Sequence, residues 1–552
     1  MKKISTLIAS LVFVATGAQA QWTPDDKAFT VIGTDSIYGQ SVIKSVRTTD
    51  GKIVLTWLKT PVGMRYDNPA YGYYLYMQSF GTDGKPLLGK AGKVIVGKPT
   101  RSSVTDYSLQ ATADGNVVIS YTDTRNDPME KAETVHKYYC YTPEGESVWS
   151  DEGVDAHIEV PTCEGHTYGA LVPMAYVSGN NIYGTILTTD TYNVKADETN
   201  WQPNPWYPDE EMPDSVSVTN SAYQIMRYNS DGTAAWTSSI SLSTDNLWAY
   251  PAPDGGIYLL YTNSGNGLDA RRINSDGNDV WDSPVNVESG QIGTDMYTDE
   301  PTVEPDGNGG LMLVYRKLLN YSGYMVANHL SPDGSVYGDE FIVNGSQDGD
   351  SSSPVVAVNG DKVFTAFEYD YAGKNLWVNQ LDINGDYTWE GDNLLGYAYS
   401  TNDMWGFRPV KAIAQADGWV MLYGDIQSYS GANFYIVKFD FDGQEVWRRQ
   451  LAEDNFASSG FSVVNDDKNA YIFYTCDKEY DSNWQPIPGE GGLRMMCVDI
   501  SGKTTGVNRI ESDSTCGSRV VYNAEGMRLA GDNVPGLYIV KENGKTRKVV
   551  RK

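Results

Sequence analysis

Histidine, cysteine and positive charge are all scarce in this sequence of 552 residues. The four histidines are too few and too scattered to suggest a multi-histidine metal site or a histidine-based proton relay. There are 42 Lys and Arg against 71 Asp and Glu, which gives a net charge of -29. Because nucleic-acid binding and adsorption to anionic membranes both depend on clustered cations, we expect neither of them here.

The five cysteines contain no Cys-x-x-C motif, which argues against a structural zinc site and against a redox-active pair. An exported chain could form disulfides, and the locally plausible pairs are Cys140 with Cys163 and Cys476 with Cys497. Cys516 is then left over. The alternative is that these residues are buried or free thiols.

Residues 1–20 have the pattern of a signal peptide. Lys2 and Lys3 form a basic start, residues 4–14 are an apolar run, and Ala18-Gln19-Ala20 supplies the small residues that signal peptidases require. The apolar run is too short to span a bilayer as a helix, and no later run is long enough. We therefore expect cleavage after Ala20 and a chain that is secreted or held at the outer-membrane surface.

Glycine, tyrosine and tryptophan are abundant, and this mixture favours strands and tight turns over helices. The body of the sequence repeats a turn followed by an apolar strand that ends in an aromatic residue. Between Tyr261 and Tyr474 the aromatic residue recurs every 51 to 56 residues, which indicates stacked supersecondary units. The aromatic positions are Trp57, Tyr121, Tyr183, Tyr261, Tyr315, Phe367, Tyr423 and Tyr474.

A second turn follows in most units, with the form Asp/Asn-x-Asp/Asn-Gly-x-x-x-Trp. Its clear copies run from Asn229 to Trp236, Asn274 to Trp281, Asp382 to Trp389 and Asp440 to Trp447, and a looser copy ends at Trp149. Such a Trp column is a tempting carbohydrate platform. At a fixed repeat position, however, packing between units is the better explanation.

Each unit therefore reads as four antiparallel strands joined by Asp-Gly turns, whose Gly tolerates the positive φ that tight hairpins need. The repeats predict an all-β fold, a β-propeller of seven or eight four-stranded blades over residues 21–505, followed by a small β tail over 506–552. The last unit lacks the pattern of a fourth strand after residue 502. We expect residues 29–33 to fill that place beside residues 496–500, because an open strand edge invites aggregation.

Two resemblances follow from these residues. The segment from Leu376 to Trp389 resembles the repeats of bacterial propellers, a family that implies a fold and no activity. The last 45 or so residues resemble the C-terminal sorting domain of substrates of the type IX (Por) secretion system. The matching parts are residues 522–526, residues 536–540 and a terminal Lys/Arg run, and residues 541–552 carry six cations and one anion.

The second resemblance implies passage through the periplasm, recognition by type IX machinery at the outer membrane, and then release or surface attachment. The tail is shorter than many members of that family, so the resemblance leaves cleavage and anchoring open. The residues that would form the sorting signal are Gly526, Gly536, Leu537, Tyr538, Ile539, Val540, Lys548, Arg551 and Lys552.

Aromatic residues in loops that depart from the repeat are the candidate ligand-binding residues. Exposed rings stack on sugars and also anchor protein partners, although Trp and Pro can simply pin long loops to the blades. The longest such loops are expected at residues 190–220 and 477–492, and another lies in the first unit. The candidates are Tyr66, Tyr71, Trp201, Trp206, Tyr207, Tyr480 and Trp484.

No motif marks a catalytic residue. A glycosidase would need two carboxylates facing each other across a sugar, and no motif singles out a pair among the 71 acids. Acidic turns such as Asp306-Gly307-Asn308 and Asp348-Gly349-Asp350 could offer oxygen ligands to Ca²⁺, but solvated turns are the simpler interpretation. We therefore expect a non-catalytic propeller that binds a glycan or protein, with a glycoside hydrolase and a structural surface protein as alternatives.

Overall fold

The computed structural model describes most of the chain between Thr30 and Arg551, and for residues 520–551 it describes the backbone alone. The residues outside the description are 1–29, 33–40, 60–73, 90, 96–106, 125–133, 160–162, 202–210, 294–299, 320–321, 343–349, 371–373, 390–406, 429–430, 452–455, 477–491, 503–519, 523–527, 530–535, 543–544 and 552. They include residues 1–20, for which a signal peptide is expected.

The described strands follow one another in eight sheets, numbered here as blades 1 to 8. The strand β1 (Thr30–Val31) belongs to the last sheet. The strands of the first four blades are β2 (Ser41–Arg47), β3 (Ile53–Lys59), β4 (Tyr74–Phe80) and β5 (Lys93–Val94) in blade 1; β6 (Ser108–Ala111), β7 (Val117–Thr124), β8 (Thr134–Tyr141) and β9 (Val154–Asp155) in blade 2; β10 (His166–Ser178), β11 (Asn181–Lys195), β12 (Ser215–Tyr228) and β13 (Ile240–Leu242) in blade 3; and β14 (Leu247–Pro251), β15 (Ile257–Thr262), β16 (Leu268–Ile273) and β17 (Val285–Glu288) in blade 4.

The strands of the other four blades are β18 (Thr302–Pro305), β19 (Leu311–Leu319), β20 (Ser322–Leu330) and β21 (Val336–Ile342) in blade 5; β22 (Asp350–Asn359), β23 (Lys362–Asp370) and β24 (Lys374–Asp382) in blade 6; β25 (Phe407–Gln415), β26 (Gly418–Ser428), β27 (Gly431–Phe439) and β28 (Glu445–Gln450) in blade 7; and β29 (Phe456–Asn465), β30 (Asn469–Cys476) and β31 (Gly492–Asp499), with β1, in blade 8. All pairings are antiparallel, and blade 6 has three strands within the described residues.

The eight sheets form a closed ring because each shares a core with the sheet on either side. Eight clusters of buried apolar side chains lie between successive blades. One of them joins the ends of the array by packing Ile43 and Trp57 of blade 1 against Phe473 of blade 8. The fold is therefore an all-β propeller, as predicted, and the number of blades is eight.

The N-terminal strand completes blade 8. Thr30 pairs with Met495 and Val31 with Arg494, and the Ile32 amide donates to the Leu493 carbonyl at 2.9 Å. The predicted closure is confirmed, with a register that places β1 beside residues 493–495 rather than 496–500. This arrangement ties the two ends of the propeller together and covers the outer edge of β31.

A separate four-stranded sheet lies beyond the propeller. Its strands are β32 (Val520–Tyr522), β33 (Arg528–Leu529), β34 (Gly536–Glu542) and β35 (Lys545–Arg551), in the order β33-β32-β34-β35. Of the residues predicted to form a sorting signal, 536–540, Lys548 and Arg551 fall on these strands, whereas Gly526 and Lys552 lie outside the described residues. The basic strand β35 is at one edge of this sheet.

The two predicted disulfides are not formed. Cys140 is a buried free thiol and Cys163 is an exposed one. In blade 8, Cys497 pairs with Tyr471, whereas Cys476 pairs with Gly492 at the far end of the same ladder. Five rungs separate the two cysteines, well beyond the Cα separation that a disulfide can span. Proximity in sequence suggested both pairs, but strand register decides which residues meet.

Candidate functional site

The strand order gives the propeller two different faces. Turns that join first to second and third to fourth strands lie on one side, which we call the turn face. Loops that join second to third strands lie on the opposite side, which we call the loop face, together with the connections between blades.

Neighbouring turns on the turn face are hydrogen-bonded to one another. The Ala113 amide donates to the Gly179 carbonyl at 2.8 Å, linking blade 2 to blade 3. The Tyr258 hydroxyl donates to the Gly309 carbonyl at 2.6 Å, linking blade 4 to blade 5. The turn face therefore helps to hold neighbouring blades together. The loops that join second to third strands vary more in length than these turns do.

The repeated tryptophans join one blade to the next, as their fixed position predicts. The indole nitrogens of four of the five donate to a backbone carbonyl in the Asp-Gly turn of the following blade, whereas that of Trp447 has no hydrogen-bond partner among the described residues. These bonds are Trp149 to Ser230 (2.9 Å), Trp236 to Ser275 (3.1 Å), Trp281 to Pro332 (3.0 Å) and Trp389 to Phe441 (2.9 Å). A ring held in this way is not available as a sugar platform.

The repeated aromatic residues of the second strands are part of the buried core. All eight are buried, with at most 7% of the residue exposed. Some of their hydroxyls are used as well: the Tyr183 hydroxyl donates to the Gly255 carbonyl of blade 4 at 2.7 Å. Burial raises the pKa of Tyr183 to about 12, so the phenol remains protonated and able to donate.

Blade 3 extends beyond the ring on the loop face. The strands β10, β11 and β12 have 13, 15 and 14 residues, and their paired ends form what we call the projecting sheet, made of residues 166–171, 187–195 and 215–222. Sequence analysis predicted a loop over 190–220. Strand structure instead continues through Lys195 and resumes at Ser215, so the irregular part is confined to the tip between them.

Trp201 lies at the tip of the projecting sheet, in a turn that other residues hold closed. The Thr199 amide donates to the Asp197 carboxylate at 2.8 Å, and the Asn200 side-chain amide donates to the Lys195 carbonyl at 2.9 Å. The Trp201 amide donates to the Asp197 carbonyl at 3.0 Å. The indole is half-buried and has no hydrogen bond or ring contact with the described part of the chain.

The other candidate ligand-binding residues, Tyr66, Tyr71, Trp206, Tyr207, Tyr480 and Trp484, lie outside the described residues, so their role stays a prediction. In the sequence, Tyr66 and Tyr71 lie between β3 and β4, and Tyr480 and Trp484 lie between β30 and β31.

Sequence analysis missed a polar and aromatic cluster on one side of the projecting sheet. The His166 Nδ1 and the Asp190 carboxylate are 2.8 Å apart, and the imidazole stacks on Tyr192 with ring centroids 4.6 Å apart. The Asn220 side-chain amide donates to the Tyr192 hydroxyl at 3.3 Å. The signal was available, because alternate residues of Thr189-Asp190-Thr191-Tyr192 would share one side of a strand.

The three buried carboxylates of the described residues each face a basic side chain. Glu288 is 3.0 Å from Lys317, and both side chains are 5% exposed. Asp306 is 2.8 Å from His329, and Glu368 is 4.0 Å from Arg408. Each of these acids therefore has a Lys, Arg or His side chain opposite it, an arrangement different from the two facing carboxylates of a glycosidase.

Two further findings concern metals and membranes. Among the described residues, no group of three or more His, Cys, Asp or Glu could hold a metal ion. In the acidic turn at Asp306, the carboxylate already accepts hydrogen bonds from the Asn308 and Gly310 amides. The described part of the chain also has no helix long and apolar enough to cross a membrane.

No protein-family model matches the sequence, and no curated protein does either. Solved structures match at low identity. The acylaminoacyl peptidase of Pyrococcus horikoshii is 10% identical, with a TM-score of 0.35, and the match covers 83% of this chain and 60% of the peptidase. The β-propeller domain of the Trilobed protease from Pyrococcus furiosus is 9% identical, with a TM-score of 0.34 and coverage of 75% of this chain and 98% of that one.

An α-L-arabinofuranosidase from Fusarium graminearum is 11% identical, with a TM-score of 0.30 and coverage of 87% of this chain and 99% of the enzyme. The printed names of these proteins describe different activities. At such low identity the likeness concerns the fold alone, and the function has to be argued from this chain's own residues.

Proposed function

We propose that this protein is an exported propeller that binds a glycan or a protein on its loop face without converting it chemically. The turn at Trp201 is the observation that carries the proposal. Because Asp197, Thr199 and Asn200 close that turn by their own hydrogen bonds, the indole is not needed to pin it. An aromatic ring that does not stabilise its own loop can contribute its stacking energy to a ligand.

The test is a glycan and mucin binding array with the full chain lacking residues 1–20, in which released sugars are measured in parallel. We expect bound ligand and no released sugar. The double variant Trp201→Ala/Trp484→Ala should weaken binding by about 1 kcal/mol per ring, the typical worth of an aromatic contact. Its melting temperature should change little, since surface substitutions usually stay within about 0.5 kcal/mol.

The control is Val446→Ala, which removes an exposed apolar side chain from the outer strand of blade 7 and should leave binding unchanged. Unchanged ligand binding by the double variant, together with a large loss of stability, would show that both rings pin their loops. Release of sugar from the array would instead favour the alternative of a glycoside hydrolase. Absence of any ligand would favour a purely structural surface protein.

Export through a type IX-like system is the second part of the proposal. The signal-peptide pattern and the resemblance of the tail support it, and the tail residues 536–540 fall on a strand of a sheet separate from the eight blades. The partner is then the type IX machinery at the outer membrane. Deletion of residues 508–552 should leave a folded propeller in the periplasm, measured by cell fractionation.

The matched control for this deletion is the full chain expressed in the same host, with surface and medium fractions compared. Circular dichroism of the truncated protein separates a sorting defect from misfolding. Normal amounts of the truncated protein at the surface or in the medium would show that the sorting assignment is wrong.

A further inference from the structure

The outer edge of the projecting sheet is an open strand edge. β13 pairs with β12 only at residues 223–225, with Leu242 opposite Tyr223, so within the described part of the chain residues 215–222 of β12 have a neighbouring strand on one side only. Ser217 and Thr219 are exposed. Such an edge offers unpaired backbone groups to any additional strand.

The backbone groups at this edge can be identified from the ladder. The Ala235 amide donates to the Arg227 carbonyl at 2.7 Å, which shows that the backbone of Arg227 points outward from β12. Backbone groups of alternate residues point to the same side of a strand, so those of Ser221, Thr219 and Ser217 also point outward. Among the described residues, none of these three has a partner at that edge.

The composition of this edge is unusual for an unprotected strand. Residues 215–223 read Ser-Val-Ser-Val-Thr-Asn-Ser-Ala-Tyr and contain no charge, no Pro and no Gly. The outer strand β28 of blade 7, by contrast, carries Glu445, Arg448 and Arg449. Natural proteins usually protect open edges with charge, Pro or bulges, and an edge without them is suited to pairing with another strand.

The strand is also self-complementary. In an antiparallel pairing of two identical strands centred on Val218, Ser217 of one lies opposite Thr219 of the other, and their outward backbone groups face each other. Residues directly opposite share a side of the sheet, so Val218 meets Val218, and serine meets serine or threonine. Ser215 of one copy would lie opposite Ser221 of the other. Because β13 of that other copy pairs with β12 only from Tyr223 onward, the first β12 ends before it reaches β13.

We propose that the β12 edge pairs with the same edge of a second copy of this chain about a two-fold axis at Val218. Two projecting sheets then form one continuous antiparallel sheet, and each copy supplies the strand that the other lacks. The interface is isologous, which closes at two copies and does not propagate into fibres. This pairing does not depend on the ligand proposed above.

Charge gives the pairing a characteristic salt dependence. The whole chain has a net charge of -29, whereas the edge itself is uncharged. Two copies therefore repel at long range and attract only at the edge. Because salt screens the repulsion and leaves backbone hydrogen bonds nearly unchanged, dimerisation should strengthen as ionic strength rises. Capture of a basic peptide would have the opposite dependence.

The test is sedimentation of the full chain lacking residues 1–20 over a range of concentration and salt. We expect a monomer–dimer equilibrium that shifts toward dimer with salt. Thr219→Lys places a charge at the edge of each copy and should weaken dimerisation about tenfold or more. Asn193→Lys is the matched control, since it adds the same charge to an exposed position of the central strand β11 and should leave dimerisation nearly unchanged.

A covalent test keeps the proposal falsifiable if Thr219→Lys folds poorly. In a Cys163→Ser background, which removes the exposed free thiol, Val218→Cys should form a disulfide between two copies under mild oxidation, whereas the background chain and Ser215→Cys should not. A chain that stays monomeric at every concentration, or a dimer insensitive to Thr219→Lys and not cross-linked by Val218→Cys, would overturn the pairing. A monomer that binds extended basic peptides through this edge would also overturn it and would assign the edge to a foreign strand.

Discussion

Trp389 of blade 6 lies against Gly443 of blade 7, so closely that a Cβ atom on Gly443 would be 2.9 Å from the Cδ2 atom of the indole. The glycine also has a φ of 81°, in the left-handed region. Thus one glycine meets two requirements, a turn conformation and a flat contact with the neighbouring blade. These two requirements can be separated by mutation.

Gly443→Ala should destabilise the protein more than Gly307→Ala. Gly307 has nearly the same φ, 79°, but a Cβ there would have no atom within 4 Å. The control should therefore show only the cost of the left-handed conformation, about 1–2 kcal/mol, and Gly443→Ala should add the steric cost against the indole. Chemical denaturation measures both, and equal losses would contradict the proposed contact.

Trp389→Ala should lower the free energy of unfolding by about 3–5 kcal/mol, the usual cost of removing a buried aromatic side chain. The indole is 8% exposed and donates to the Phe441 carbonyl at 2.9 Å. Val446→Ala, at an exposed position, should cost less than about 0.5 kcal/mol. A loss for Trp389→Ala no larger than for Val446→Ala would mean that the column does not join the blades.

The ion pair of Glu288 and Lys317 should behave as a buried unit. Removal of one partner leaves an uncompensated buried charge, so Lys317→Met should destabilise the protein by about 3–5 kcal/mol. The double variant Glu288→Gln/Lys317→Met should be less destabilised than the single variant, because no charge is then left alone. Thermal unfolding of the parent and the two variants checks this order, and a double variant less stable than Lys317→Met would contradict it.

His136 should make stability fall on mild acidification. Burial lowers the pKa of this histidine in the folded protein, where Nε2 donates to the Ala170 carbonyl and Nδ1 accepts from the Thr122 hydroxyl. The unfolded chain then binds a proton more readily than the folded one as the pH falls below about 6.5. The contribution of neutral His136 is therefore complete above that pH and is lost as the pH drops toward its lowered pKa.

The measurement is the melting temperature from pH 7.5 to pH 5 for the parent and for His136→Gln. The parent should lose more stability than the variant over this range, since the carboxylates that also titrate are common to both proteins. Parallel curves for the two proteins would show that His136 does not contribute to the pH dependence.

The N-terminal strand should be required for full stability. Ile32 is 8% exposed and packs with Ile43 and Tyr471 between blades 1 and 8. Ile32→Ala should cost about 2 kcal/mol or more, and deletion of residues 21–34 should cost more still, because it also exposes the edge of β31. An unchanged melting temperature after the deletion would contradict closure by β1.

The repeat was predictable from the sequence because its period, turn glycines and aromatic positions all report local structure. The choice between seven and eight blades was not, because closure of the ring depends on packing between residues far apart in the sequence, such as Ile43 and Phe473. The projecting sheet was not predicted, because its acidic, Pro- and Trp-rich tip has the composition of a loop, although Val216 and Val218 alternate with serines. The prediction of a disulfide between Cys476 and Cys497 was wrong because strand register, which depends on long-range pairing, places these two residues far apart.

Each tryptophan precedes in sequence the turn that it contacts, so the contacts between blades have a direction. A newly made blade that carries this tryptophan can pack it against the next blade, and assembly can proceed from blade 2 in the order of synthesis, with blade 5, which has Gly338 at that position, as the exception. The last contact differs, because the hydrogen bond between the Ser45 amide and the Ser462 hydroxyl spans 417 residues. Contacts of such long separation form late and slowly, so the ring should remain an open arc until nearly the whole chain has emerged.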